Sequence, residues 1–171
     1  MVAIGERLPE MHLEDLAGGR HALASPDGRV KVIILWSAEC PVVRLAEPRL
    51  SEMRRGWPRD VHMLFLAPNA DESRRVLEAE AHTRGIEPVL VDEKGRVAAL
   101  LGATTTPYAV VVDGEGRLRY RGAVDDSTMR RREPRRHYLA DAVEAVLAGS
   151  SPDPTETAGY GCAIVLAFDA S

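Results

Sequence analysis

The sequence predicts an α/β protein built in three layers, a central mixed sheet with helices on both faces, ending in a C-terminal β-hairpin and helix. Three observations predict it. Runs at 30–36, Val61–Ala67 and 108–113 are apolar on both faces, as strands buried in the middle of a sheet are. Helical stretches separate them, and strand–helix alternation builds parallel crossovers. The third run meets the turn Asp113-Gly114-Glu115-Gly116, and 117–121 returns as an antiparallel strand.

Taken in order, residues 1–29 are broken by Gly5, Pro9, Gly18, Gly19, Pro26 and Gly28, so loops with a short strand or two are expected. The strand 30–36 is followed by a tight turn at 37–40. Pro41 then opens a helix to about Arg55, because proline is favoured at the first helical position. Pro48 removes one internal hydrogen bond and should kink that helix. After Val61–Ala67, Asn69 or Asp71 is placed to cap a helix over 72–84, and Gly85 stops it. A short strand at 88–91 and a short helix at Arg96–Leu101 precede the third buried strand. A helix over 133–147 carries Leu139, Val143, Val146 and Leu147 on one face, and Gly149 ends it. Residues 150–157 are a Pro/Ser/Thr-rich connector, and 159–168 is a short apolar segment that can add a strand. The organisation expected is one domain over 1–149 and a tail over 150–171.

The bulk numbers agree with one domain. A chain of 171 residues buries roughly 70% of its unfolded surface, enough to fold without staples. The net charge of −4 provides no global basic field for nucleic acid. One local exception, Arg130, Arg131, Arg132, Arg135, Arg136 and His137, is either a solvated helix approach or a surface for an acidic partner or anion. No apolar run approaches the ~20 residues of a membrane span. Residues 1–8 mix acid and base and lack an apolar core, unlike a signal peptide. The expectation is a cytoplasmic protein, or an exported one if a leader has been trimmed.

Two cysteines, Cys40 and Cys162, cannot make a disulfide scaffold. Cys40 lies in Trp36-Ser37-Ala38-Glu39-Cys40-Pro41, where a strand ends and a helix begins. The free amides and dipole of a helix start stabilise a thiolate, the nucleophilic form. Its other reading is a small buried hydrophobe. Thr104-Thr105-Thr106-Pro107-Tyr108 sets a proline at the head of a buried strand, where no ladder donor is lost. A cis Thr106–Pro107 bond would turn the Thr106 backbone outward, whereas a trans bond would make an ordinary turn.

With these residues in view, the chain resembles the thioredoxin-like superfamily, in its TlpA/ResA-like and redoxin (AhpC/TSA-type) branches. The resemblance is carried by GERLPEMHLEDLAGG, VIILWSAECPVV and TTTPYAVVVDGEGRLRYRG, and spans about residues 4–149. It implies a thioredoxin-like fold and a cis Pro107 facing Cys40. It also implies a thiol-based oxidoreductase that uses no cofactor and meets a disulfide or oxidised thiol substrate and a thiol reductant.

The departures matter as much. Dithiol members carry Cys-x-x-Cys, but Val43 stands at the second cysteine, so no local disulfide can form. Peroxiredoxins use Pro-x-x-x-Thr-x-x-Cys. Here Ser37 retains the hydroxyl and Ile33 replaces the proline. Pro107 occupies the place of the peroxiredoxin arginine, leaving Arg44 as a weaker substitute. A copper site like that of the Sco branch needs a second cysteine and a histidine that are missing. His12, His21, His62, His82 and His137 show no ligand spacing, so no metal site is expected. Some redoxin-branch proteins with CP but no second local cysteine carry a Gly-Cys near the C-terminus, and Gly161-Cys162 resembles that pattern. Cys162 is thus either the resolving thiol for Cys40 or a packed, inert residue. A long loop between them is cheap to close, because closure entropy grows only logarithmically with length.

The candidate catalytic residues are therefore Cys40 and Cys162. Thr106, Pro107, Trp36, Ser37 and Glu39 are the candidate substrate-binding residues. Glu39 reads equally as a solvated carboxylate, and Trp36 as packing beside the site. Three functions stay open: thiol–disulfide exchange, a thiol peroxidase, and a thioredoxin fold that binds a partner without turnover.

Overall fold

A computed structural model describes residues 1–167. Strands β1 (His12–Glu14) and β2 (Arg20–Ala22) form an N-terminal antiparallel pair. There follow β3 (Val30–Leu35), α1 (Pro41–Gly56), β4 (Val61–Ala67), α2 (Arg74–Arg84), β5 (Val89–Val91) and α3 (Arg96–Leu101). The chain then forms β6 (Thr105–Thr106), β7 (Tyr108–Val112), β8 (Leu118–Gly122), α4 (Tyr138–Leu147) and β9 (Cys162–Ala163).

The central sheet has the order β5-β4-β3-β7-β8. β3, β4 and β5 are parallel, while β7 is antiparallel to β3 and β8 to β7. β3 is the middle strand, which explains its composition. Val32 and Ile34 face the layer of α1, α2 and α4, while Ile33 and Leu35 face α3 and the N-terminal segment. A strand covered on both sides needs an apolar residue at every position. This is the mixed-sheet, three-layer architecture expected.

The helix boundaries depart from expectation in two places. α2 starts at Arg74 and is capped by Ser73, whose hydroxyl accepts the Val76 N–H at 3.2 Å, rather than by Asn69 or Asp71. α4 starts at Tyr138 rather than at 133. Asp126 Oδ1 accepts the backbone N–H groups of Arg135 (2.7 Å) and Arg136 (3.0 Å), which holds the arginine-rich stretch as an exposed loop. α1 runs through Pro48 as one element.

The connector after α4 is stitched to β8. Arg121 N–H donates to Thr155 O at 3.1 Å, and Thr157 N–H donates to Arg121 O at 3.1 Å. The Thr157 hydroxyl accepts Ala123 N–H at 2.8 Å and lies 2.8 Å from the buried Tyr120 hydroxyl. From there the chain crosses to β6, where β9 pairs antiparallel. Of the segment expected at 159–168, the strand takes only Cys162–Ala163. Phe168 and the rest of the tail lie outside the described residues.

Candidate active site

β3 ends at Leu35, and the turn after it delivers Cys40 to the N-cap of α1, with Pro41 as the first helical residue. Cys40 is only 2% exposed, and its Sγ donates to the Thr106 carbonyl at 3.3 Å. The Thr106–Pro107 peptide is cis. Across from it, Thr106 and Cys162 are register partners in the β6–β9 pair. The structure thus gathers Cys40, Thr106, Pro107 and Cys162 in one place. Both thiols are free, and each shifts the other's ionisation.

The glycines before Cys162 permit this approach. A Cβ on Gly161 would drive into the Thr106 carbonyl oxygen, and one on Gly159 would sit 2.5 Å from Thr105 Oγ1. A side chain at either position would lift the strand off β6.

The two thiols are electrostatically unequal. Burial pushes the Cys40 thiol up. Hydrogen bonds from the Cys162 side chain, the Val43 N–H and the Cys162 N–H outweigh it, and its pKa falls below the ordinary thiol value. Burial and then the hydrogen bond and charge of Cys40 push Cys162 up to about 11, against a smaller opposing effect of the Val42 N–H. The Val43 contribution is the helix-start amide at work. Ionisation is therefore easier at Cys40 than at Cys162, which holds its proton more tightly. The hydroxyls of Thr105 and Thr106 are buried with no hydrogen-bond partner among the described residues.

The loop before Cys40 is held from behind. Glu72 accepts the Ser37 hydroxyl and the Ala38 N–H (2.8 Å), and Asn69 Nδ2 donates to Glu72 Oε1 at 2.9 Å. Arg84 donates to Ala38 O at 2.7 Å and pairs with Glu47. Trp36 is fully buried, with its Nε1–H on Glu47 Oε1 at 3.0 Å and Arg84 stacked over the ring at 5.1 Å. Trp36 and Ser37 thus support the loop from inside and do not present a surface to substrate. Glu39 is exposed and makes no hydrogen bond among the described residues. Arg44 donates to Ala38 O and Glu80 Oε2, each at 3.4 Å, and its guanidinium makes no hydrogen bond to Cys40 Sγ among the described residues. Glu72 escaped the sequence reading, since nothing in its spacing marks a partner 35 residues away. The sequence marks Asn69 only as a candidate helix cap.

Among the described residues no cluster of three or more His, Cys, Asp or Glu side chains could hold a metal ion. Among the described residues no helix is long and apolar enough to cross a membrane.

This geometry can be set beside known proteins. The Redoxin family model matches residues 3–136. The thiol:disulfide interchange protein DsbE homolog of Paracoccus denitrificans is 30% identical over 94 residues, covering 55% of this chain and 50% of that protein. The chain spans between half and about two thirds of the length of the curated relatives it matches. A hypothetical protein from Sinorhizobium meliloti superposes with a TM-score of 0.85 at 27% identity, covering 98% of this chain and 96% of that one. An uncharacterised conserved protein from Geobacillus kaustophilus has the same fold, with a TM-score of 0.85 at 23% identity, over 100% of this chain and 95% of that one. With a thiol at the helix start and a family match over most of its length, the chain belongs to the thioredoxin-like Redoxin family.

Proposed function

We propose that the chain is a thiol–disulfide oxidoreductase in which Cys40 is the nucleophile and Cys162 the resolving thiol. The observation that carries this reading is the convergence of two free thiols on Thr106, with Cys40 Sγ 3.3 Å from its carbonyl and Cys162 opposite it in the β6–β9 pair, and with pKa values moved in opposite directions. The Cys40 thiolate attacks one sulfur of a partner disulfide, forms a mixed disulfide and expels the other sulfur as a thiolate. Cys162 then loses its proton and attacks Cys40 Sγ, releasing the second partner thiol and leaving a Cys40–Cys162 disulfide. Two electrons pass from the pair to the substrate, and a thiol reductant returns them. A lowered Cys40 pKa favours its thiolate as attacker and also as leaving group when the pair is reopened. The Thr106 backbone and Pro107 would seat the partner's strand once the tail has moved aside.

A peroxidase reading has one observation in its favour. Cys40 is covered by its own tail, so a peroxide reaches it more readily than a peptide does. In that case the thiolate is oxidised to a sulfenic acid as the peroxide leaves as alcohol or water, and Cys162 displaces water to close the disulfide.

Treating reduced Cys162→Ser with a peptide disulfide, quenching in acid and mapping by mass spectrometry tests the proposal. A mixed disulfide on Cys40, with an intramolecular disulfide in the wild type, is expected. No adduct on Cys40 leaves a binding module. Adducts absent with peptide disulfides but rapid peroxide loss dependent on Cys40 select the peroxidase.

A further inference from the structure

The Cys162 strand does not end at Ala163. Ile164 N–H donates to Thr104 O at 3.0 Å, continuing along the edge that begins with β6. Val165 then leaves β6 and reaches the loop between β4 and α2. Its N–H donates to Asn69 Oδ1 at 2.8 Å, and its carbonyl accepts Ala70 N–H at 2.8 Å. The Asn69 amide is used at both ends, because its Nδ2 donates to Glu72 Oε1 at 2.9 Å. Glu72 in turn accepts Ala38 N–H and the Ser37 hydroxyl, in the turn that leads into Cys40. An N–H faces the amide oxygen and a carboxylate faces the amide nitrogen, so the partners themselves fix which way the amide points.

Asn69, through Glu72, therefore joins the strand that carries Cys162 to the loop that carries Cys40. Beyond this, the strand's far end is held by the Ala70–Val165 backbone bond and the packing of Ile164. β9 is two residues long, and a pairing so short is marginal by itself. Val165 is 42% exposed and Leu166 51%, so burial contributes little there. At the near end Tyr160 accepts Met129 N–H on its hydroxyl at 3.1 Å, which ties the strand to the arginine loop but not to the Cys40 turn.

We propose that Asn69 is a positioning residue for the thiol pair, a latch that holds the Cys162 strand against the Cys40 loop and keeps Cys40 covered. The proposal rests on the reading that Cys40 and Cys162 exchange as a pair. Opening the latch lowers the effective concentration of Cys162 at Cys40 and opens Cys40 to reagents. The loss of one hydrogen bond of this kind corresponds to roughly a tenfold change in each.

The test uses Asn69→Ala, Val165→Pro and the double variant, each as the full chain. Val165→Pro removes the N–H that Asn69 accepts, and it changes only an exposed tail residue, so the domain folds whatever happens at Asn69. Two quantities are read: the equilibrium of the Cys40–Cys162 disulfide against glutathione, and the iodoacetamide alkylation rate of Cys40 in the reduced protein. Each single variant is expected to shift the disulfide equilibrium about tenfold toward the dithiol and to raise Cys40 alkylation about tenfold. The double variant should be no worse than the more affected single one, because both break the Val165–Asn69 bond. Val165→Pro with both quantities unchanged, or additive effects in the double variant, would overturn the latch. A wild type that forms no Cys40–Cys162 disulfide would instead overturn the functional reading, and the alkylation rates would still decide for or against the latch.

Discussion

Thr106 and Cys162 lie directly opposite each other in an antiparallel pair, and the Thr106 carbonyl also accepts the Cys40 S–H. One peptide unit thus sets the position of both thiols. Pairing on one side and a hydrogen bond on the other bring Cys162 to Cys40 without a shared turn or a common helix. The short Cys-x-x-Cys geometry is replaced by a strand laid across the cis-Pro107 loop.

Gly161 is where this arrangement is most easily broken. A Cβ at that residue collides with the Thr106 carbonyl oxygen, which belongs to backbone and cannot swing away. Gly161→Ala should displace the strand and cost about 1–3 kcal/mol of its docking. The expected outcome is a roughly ten- to hundredfold weaker Cys40–Cys162 disulfide in a glutathione titration, with an unchanged far-ultraviolet circular dichroism spectrum. An equilibrium equal to the wild type's would show that the strand does not need this close approach.

The ionisation of Cys40 draws on Cys162, which one substitution removes. In Cys162→Ala the pKa of Cys40 should move up, because burial then opposes ionisation with fewer bonds against it. The check is the pH dependence of iodoacetamide alkylation at Cys40, whose midpoint should shift to higher pH. A midpoint that stays put in Cys162→Ala would mean that the two thiols titrate independently.

The legibility of this molecule in its sequence follows a physical line. β3, β4 and β7 could be read because strands buried on both faces must be apolar throughout, a demand that sequence displays directly. The Cys40 position could be read because Pro41 marks a helix start. The start of α4 could not, since its residues 133–137 have helical character locally and are held as loop by Asp126, a non-local contact. The docking of β9 rests on a two-residue pair and on single hydrogen bonds to Asn69 and Ala70, which leave no periodicity to detect. Gly159 and Gly161 were visible as glycines, but the surfaces they clear belong to β6 and β7 and appear only in the fold.

Thr157 fixes the tail before it reaches the site. Its hydroxyl accepts the Ala123 N–H and meets the buried Tyr120 hydroxyl, which itself donates to Ala123 O at 2.6 Å. Thr157→Val keeps the volume and removes the acceptor, so the Ala123 N–H loses its partner. An unsatisfied donor of this kind costs about 1–3 kcal/mol. Urea unfolding should show that loss as a lower midpoint with an unchanged slope. No change would mean that water replaces the hydroxyl at the Ala123 N–H.

The raised pKa of Cys162 also makes a claim about stability. In the unfolded chain this thiol titrates near 9.0, and in the folded, reduced protein it titrates near 11. A group whose folded pKa is raised contributes its stability fully below the unfolded value and loses it as pH climbs through the folded value. Cys40 has the opposite sign: its contribution is complete once pH exceeds the unfolded value, and so it is constant across this window. The stability of reduced wild type relative to reduced Cys162→Ala should therefore decline between about pH 9 and pH 11. Tyrosines titrating in the same range affect both proteins alike and cancel in the difference. Urea titrations at half-unit steps in reducing buffer measure it. A flat difference across the window would mean that Cys162 ionises as freely in the folded protein as in the unfolded chain.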